Sequence, residues 1–439
     1  MLAAIRPAFL ALWWGRLREQ LWFRPAVWSI AAVGAALVAA LANSFVPAGL
    51  LPDIGHATLE GLLTIIASSM LTVSTFSLSI LVSAYASAAS TATPRATRLV
   101  MADNDAQNAI AAFVSAFIFS MIALVALGVG YYGPAGRLVL FVFTLCVLAY
   151  LILALLRWIG TLSTLGRMNH TIETVEKVAT QAVRNWQAQP GLGARLVADA
   201  AAAAQGAPVH ARWTGYLQHV DVAGIESAAQ AAGATVHVCL RPGAFVSRQT
   251  VVARLSRAPA AEAHQDEQAD LAERVAKSFV IGRERTERQD PRFGLVMLSE
   301  IAQRALSPAV NDAGTAIAVL GAMTRVLVEG TRPRDDDGAS PAPDAPGIRH
   351  VTIVPLDPAD LVRDVLEPIA RDGAGSLEVC LRIQKLLAIV AANTDGPLAA
   401  AALAEAGRAR DHALACLRVP HERERLLAHT AHVAPAPGR

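Results

Sequence analysis

The stretch Leu138–Leu156, LVLFVFTLCVLAYLILALL, contains no Asp, Glu, Lys, Arg or His. At a rise of about 1.5 Å per residue such a helix crosses the roughly 30 Å hydrocarbon core of a bilayer. Each Leu, Ile, Phe or Val favours insertion by about 0.3–0.6 kcal/mol, and no central charge opposes them. The segment reads as a transmembrane helix. Working outward, Arg137 and Arg157 bracket it, and three more charge-free stretches precede it, between Arg24 and Asp53, Glu60 and Arg95, and Asp105 and Arg137. They hold the spans Ala26–Val46, Leu59–Ala86 and Ile110–Gly130. No comparable charge-free stretch follows Arg157.

Composition alone does not establish this. The 439 residues are 17% charged and 54% hydrophobic with a net charge of +2, and the mean hydropathy is +0.40. Soluble domains carry about 25% charged residues. Much of the hydrophobic total is alanine, however, and Lys177, Lys277 and Lys385 are the only lysines. The uneven placement of the charges is what separates a membrane half from a water-soluble half.

Loop charges orient the spans. Arg6, Arg16, Arg18 and Arg24 precede the first span, Arg95 and Arg98 follow the second, and Arg157, Arg167 and Lys177 follow the fourth, whereas the remaining loops hold Asp53, Glu60 and Arg137. The positive-inside rule then places both termini in the cytoplasm of a cell whose inner membrane holds the spans. Ala40-Leu41-Ala42 resembles a signal-peptidase site, but Trp13, Trp14, Trp22, Phe23 and Trp28 read as an interfacial aromatic belt on a retained anchor. Cys146, Cys239, Cys380 and Cys416 form no C-x-x-C pair, so neither a disulfide framework nor a structural zinc site is expected.

The second span carries Ser68, Thr72, Thr75, Ser79 and Ser83 at helical spacing, all on one face. Such a stripe serves either close helix packing or the wall of a hydrated path in an oligomeric pore. Ala112, Ala116 and Ser120 form a small-xxx-small series in the third span, a packing signature. Apart from Glu60 at the very start of Leu59–Ala86, the spans hold no Asp, Glu, Lys, Arg or His, which argues against proton-coupled pumping and voltage sensing.

Beyond the membrane half, Leu162, Leu165, Met168, Ile172, Val175, Ala179, Ala182 and Trp186 form a heptad-like seam whose partner is either a second copy or the chain's own cytosolic domain. Strands are expected over Trp213–Val220 and Ala234–Leu240, flanking a helix Val222–Ala232 capped by Asp221. Arg241-Pro242-Gly243-Ala244-Phe245-Val246 and the strand pair through Leu255 resemble the small β-sandwich of biotinyl and lipoyl carriers. No lysine lies between Lys177 and Lys277 to accept either group. The resulting organisation is a cytoplasmic segment 1–25, a four-helix membrane domain 26–158, an amphipathic helix 159–190, an α+β domain 191–329, a Pro/Gly/Asp-rich linker 330–347, and a strand with helices over 348–439. The expected fold class is four transmembrane helices followed by a mixed α+β cytosolic domain.

Two motifs carry the densest polar chemistry. Gly282–Pro291, GRERTERQDP, runs into a helix capped by Asp290 with Pro291 at its first position. Arg304–Thr315, RALSPAVNDAGT, forms a turn between helices with Asp312 as the second cap. Capping alone explains both. The functional alternative gathers Arg285 and Arg304 as guanidinium forks for an anion, with Thr286, Asn311, Asp312 and Thr315 beside them.

The string IGRERTERQDPRFGLVMLSEIAQRALSPAVNDAGTA, with TPRATRLVMADNDAQNAIAAF, GYLQHVD and RPGAFV, resembles the bacterial membrane proteins grouped as the domain of unknown function 2254 family. The likeness runs over roughly residues 10–420 and implies topology, with no catalytic residue to carry over. In that family's pattern proline often follows Asn-Asp, whereas Ala313 and Gly314 stand here, which implies a looser turn.

His429 and His432, one turn apart, lack a neighbouring carboxylate pattern, so no metal is expected. Walker, G-x-G-x-x-G, H-E-x-x-H and G-x-S-x-G motifs are missing, so no enzyme activity and no cofactor are expected. Interleaved charges speak against nucleic-acid binding. The leading expectation is a homo-oligomeric, channel-like or membrane-sensing protein in contact with lipid, with a cytosolic regulatory domain and an unidentified ion or small-molecule ligand. The alternatives are a membrane-anchored binder or enzyme using Arg285, Arg304 and Asn311, and an interaction scaffold.

Overall fold

A computed structural model describes residues 23–41, 54–91, 93–101, 104–164, 167–197, 205–257, 265–332 and 348–433. Trp13, Trp14, Trp22, Ala42, Leu165 and linker residues 333–347 lie outside the described residues. The chain forms two compact units, residues 1–171 and 172–439.

The first unit is helical: α1 (Phe23–Leu41), α2 (His56–Thr91), α3 (Pro94–Met101), α4 (Asn104–Gly128) and α5 (Pro134–Thr164). Proline opens α3 and α5, where its missing N–H costs nothing. Helix α4 packs against α1, α2 and α5. Ala112, Ala116 and Ser120 are all buried, so the small-residue series serves close approach as its spacing predicts. Phe113 and Phe119 fill the remaining space. Helix α5 instead exposes Val142, Leu145, Ile152, Leu153 and Leu156, the surface that lipid would solvate.

Four helices among the described residues are long and apolar enough to cross a membrane: His56–Ser87, Ala106–Gly128, Pro134–Leu162 and Ala313–Thr331. Three coincide with expected spans. The described apolar run of the first expected span is shorter, Pro25–Gly34. The fourth qualifying helix falls in the second unit, where no span was expected. It carries Arg325 and Glu329 and buries Val319, Leu320, Met323, Val326 and Leu327 against its neighbours in the second unit.

The second unit starts within α6 (Met168–Ala188). Ile172, Val175, Ala179 and Ala182 are buried within it, so the seam's partner is the chain's own second unit. Two glycines permit the fit. A Cβ at Gly294 would lie 2.6 Å from the Ala179 Cα, and one at Gly330 would lie 2.9 Å from the Val183 Cγ1. These belong to α9 (Pro291–Leu306) and α10 (Ala313–Thr331), and Arg325 of α10 donates to Glu176 of α6 at 2.6 and 2.7 Å.

The strands are β1 (Arg195–Leu196), β2 (Ala207–His210), β3 (Gly215–Val220), β4 (Ala234–Val238), β5 (Phe245–Val246), β6 (Val251–Arg257), β7 (Phe279–Gly282) and β8 (Val351–Ile353). They form a five-stranded sheet in the order β1-β8-β4-β6-β2 and a three-stranded sheet β5-β3-β7. The pairs β4–β8 and β1–β8 are parallel and the others antiparallel. This mixed sheet, packed against α7 (Val222–Ala231) and α8 (Gln265–Ala276), replaces the carrier-like sandwich suggested by the RPGAFV turn. A strand from far along the chain, β8, enters beside β4. Glu226 of α7 holds that entry by accepting the Arg349 and His350 amides at 3.0 and 2.9 Å and the His350 Nδ1 at 2.7 Å.

Helices α11 (Asp360–Asp372), α12 (Leu377–Asn393), α13 (Gly396–Cys416) and α14 (Pro420–Val433) complete a layer with α9 and α10.

Candidate functional site

The six polar residues that the sequence groups as an anion site lie at two ends of α9, a helix of about 24 Å at 1.5 Å per residue. Arg285 and Thr286 precede its start. Arg304, Asn311, Asp312 and Thr315 follow from its end, so the six do not form one site.

At the far end the motif builds a helix-to-helix turn. Ser307 caps α9 by donating its hydroxyl to the Arg304 carbonyl at 2.7 Å. Asn311 takes φ +48°, a left-handed conformation that Asn tolerates, and its amide donates to the Ser307 carbonyl at 2.8 Å. Asp312 caps α10, accepting from the Thr315 amide at 2.9 Å and the Thr315 hydroxyl at 2.6 Å. Those two bonds hold its carboxyl below the usual range. Ala313 and Gly314 leave the cap intact, contrary to the looser turn that their departure from the family pattern implies.

At the near end lies an ionic cluster that local spacing did not show. Asp290, 1% exposed, caps α9 through the Arg292 amide at 3.2 Å and receives Arg285 Nε and Nη2 at 2.8 and 2.7 Å. Burial pushes its carboxyl upward, against the pull of Arg285 and Arg292. Arg285 stacks over Phe293 at 5.2 Å, and the Thr286 hydroxyl donates to the Gln218 carbonyl at 3.2 Å. Arg292 reaches Asp360 at 3.1 Å and Asp364 at 3.4 Å on α11.

Arg241 joins the cluster from the turn before β5. It is 9% exposed, donates to the Val354 carbonyl at 3.0 Å, and keeps Nε and Nη2 buried without a hydrogen-bond partner among the described residues. Burial first, and Arg292 second, lower its pKa to about 10. Gly243 lets the same turn touch the cluster: at φ +98° a Cβ would meet the Asp290 carboxylate and lie 2.9 Å from Arg285 Nη2. Arg241, Arg285 and Arg292 thus face Asp290, Asp360 and Asp364, and Arg363 of α11 also pairs with Asp360 and Asp364. The arginine fork expected to receive an anion at Arg285 is already filled by a carboxylate of the same chain, which makes the cluster an ionic junction joining the sheet, α9 and α11. The RPG turn was the available signal for Arg241; nothing local pointed to Asp360.

In the first unit, the hydroxyl stripe of α2 turns away from its own bundle. Ser68, Thr72, Thr75, Ser79 and Ser83 are exposed, while Ser74 and Ser77 on the other side are buried. Ser68, Thr72 and Thr75 donate to carbonyls of the preceding turn at 2.9, 3.1 and 2.9 Å. By helical phase Ile65 and Phe76 flank the stripe on one side and Leu71, Leu78 and Val82 on the other, all exposed. The stripe therefore does not serve packing within the described bundle.

Long apolar helices with lipid-type surfaces, joined in sequence to a mixed α+β unit, define the class as a membrane protein. The chain belongs to the family described as predicted membrane protein DUF2254, whose model matches residues 18–389. It is similar to uncharacterized proteins of Mycobacterium tuberculosis and Mycobacterium bovis, each 38% identical over 138 residues, a match that covers 30% of this chain. The matched region spans 26% of those relatives' own length. No solved structure matches.

Proposed function

We propose that this protein is a homo-oligomeric, channel-like protein of the inner membrane, with several copies meeting along the hydroxyl face of α2 and the second unit acting as a cytoplasmic regulatory domain. The exposure of Ser68, Thr72, Thr75, Ser79 and Ser83 on a membrane-length helix carries the reading. Lipid gains little from such a face. A facing copy gains close packing, and water in a central path gains hydrogen-bonding groups. In this reading α1 supplies a further crossing, and the arginines around the spans keep both termini in the cytoplasm.

The test is cysteine cross-linking in native membranes, in a background lacking Cys146, Cys239, Cys380 and Cys416, paired with conductance in planar bilayers. Thr75→Cys is expected to give cross-linked dimers, and Leu153→Cys, on the exposed face of α5, is not. A protein that stays monomeric in mild detergent, fails to cross-link at position 75 and passes no current would overturn the proposal.

A further inference from the structure

Helix α5 presents one unbroken exposed face. Phe143, Cys146, Tyr150, Leu153 and Arg157 follow one another at helical spacings of three and four, and all five are exposed. Beside this face runs α1, whose Trp28 stacks on Tyr150 with ring centroids 6.1 Å apart and planes 15° from parallel. The pair ties the two helices together while Trp28 stays 49% and Tyr150 40% exposed. Both rings carry a donor, the indole N–H and the phenol O–H, which suits a bilayer interface, where one end of a ring is dry and the other wet.

Arg157 ends the face. It is exposed and forms no ion pair among the described residues. Neither α1 nor α5 contains an Asp or Glu that could neutralise it, and Arg24 stands one turn ahead of Trp28 in α1. Two positive charges and no negative one therefore belong to the two helices where α1 begins and α5 finishes. Seven residues separate Arg157 from Tyr150, about 10 Å along the helix. The layer between the hydrocarbon core and the headgroup surface is about 5–8 Å thick on each side. With Arg157 at the level of lipid phosphates, the Trp28–Tyr150 pair lies at the ester groups and first methylenes, and Cys146 and Phe143 lie along the chain below.

We propose that the seam between α1 and α5 is a binding site for an anionic phospholipid. Its phosphate meets the Arg157 guanidinium, its ester oxygens accept from Tyr150 and Trp28, and an acyl chain lies along Cys146 and Phe143. An exposed guanidinium with no carboxylate partner matches a phosphate, and basic pockets between transmembrane helices hold acidic headgroups. The face from Phe143 to Arg157 is about 21 Å long and apolar except at its end, a surface that a free phosphate has no use for. The site does not depend on how copies of the chain assemble.

The test is native mass spectrometry of the full chain in detergent, titrated with phosphatidylglycerol or with phosphatidylcholine of the same acyl chains. Phosphatidylglycerol is expected to fill one site per chain saturably, at a concentration at least fivefold below that of phosphatidylcholine, and inorganic phosphate is expected not to displace it. Arg157→Gln is expected to weaken phosphatidylglycerol binding about fivefold or more, the factor that one arginine near the surface contributes, and to leave phosphatidylcholine binding at the parent level, which verifies the fold. Arg98→Gln removes a charge from α3, which the helix order places at the same end of the bundle, and is expected to change neither. The absence of a saturable step, equal binding of the two lipids, displacement by inorganic phosphate, or a loss in Arg98→Gln as large as in Arg157→Gln would overturn the proposal.

Discussion

Asp290→Asn isolates the electrostatic part of the ionic junction. Asparagine caps a helix about as well as aspartate, so the acceptor for the Arg292 amide is kept while the charge is removed. What is lost is the counter-charge to Arg285, whose two nitrogens meet Asp290 at 2.8 and 2.7 Å with side chains 17% and 1% exposed. Removing one partner of a buried pair costs about 3–5 kcal/mol, because the other charge stays behind uncompensated. Asp290→Ala should cost about 1 kcal/mol more through the lost cap.

Arg241→Met should behave differently. Burial first, and Arg292 second, lower Arg241 to about 10, a penalty of about 3 kcal/mol at 1.36 kcal/mol per pKa unit. Its charged bond to the Val354 carbonyl returns about 1.5–3 kcal/mol, so the substitution should fall within about 1–2 kcal/mol of neutral. For a unit of this size 1 kcal/mol shifts Tm by about 2–4 °C. Thermal unfolding of the full chain in nanodiscs should therefore show Asp290→Asn lowered by about 10 °C and Arg241→Met by no more than a few degrees. If Asp290→Asn unfolds within 2 °C of the parent, or Arg241→Met falls as far as Asp290→Asn, the junction is not held by charge balance.

Three further outcomes are expected. Gly243→Ala, at φ +98° and with its Cβ directed at the Asp290 carboxylate, should destabilise the second unit by about 2–4 kcal/mol, seen as a lower denaturation midpoint than that of Ala244→Gly. Gly294→Ala should overpack the contact with Ala179 at a cost of about 1–3 kcal/mol and raise protease cleavage within α6. Burial pushes Glu226 up, but the bonds from Arg349 and His350 bring its carboxyl below the ordinary value of 4.5. A depressed folded-state pKa contributes stability above the unfolded value and loses it as pH falls through the folded one. Hydrogen-exchange protection of β8 should therefore hold above about pH 4.5 and decline below it, and Glu226→Gln should remove that pH dependence.

What the sequence by itself determined was everything set by neighbours within a few residues. Apolar length marked α2, α4 and α5, because partition into lipid depends on the side chains of one helix alone. The caps at Asp221, Asp290 and Asp312 were legible because a side-chain oxygen reaches an amide only two or three residues on. The burial of Ala112, Ala116 and Ser120 followed from their spacing on one helical face. Tertiary structure decided the rest. Helix α10 is apolar enough to resemble a span, and only its packing in the second unit assigns it to a core. Closeness in sequence brought Arg285 and Arg304 together on paper, while the rise of α9 puts them at opposite ends. Arg241 meets the Val354 carbonyl across 113 residues and Arg292 meets Asp360 across 68. Such pairings depend on which surfaces the whole chain can bury together, and no local propensity encodes that choice.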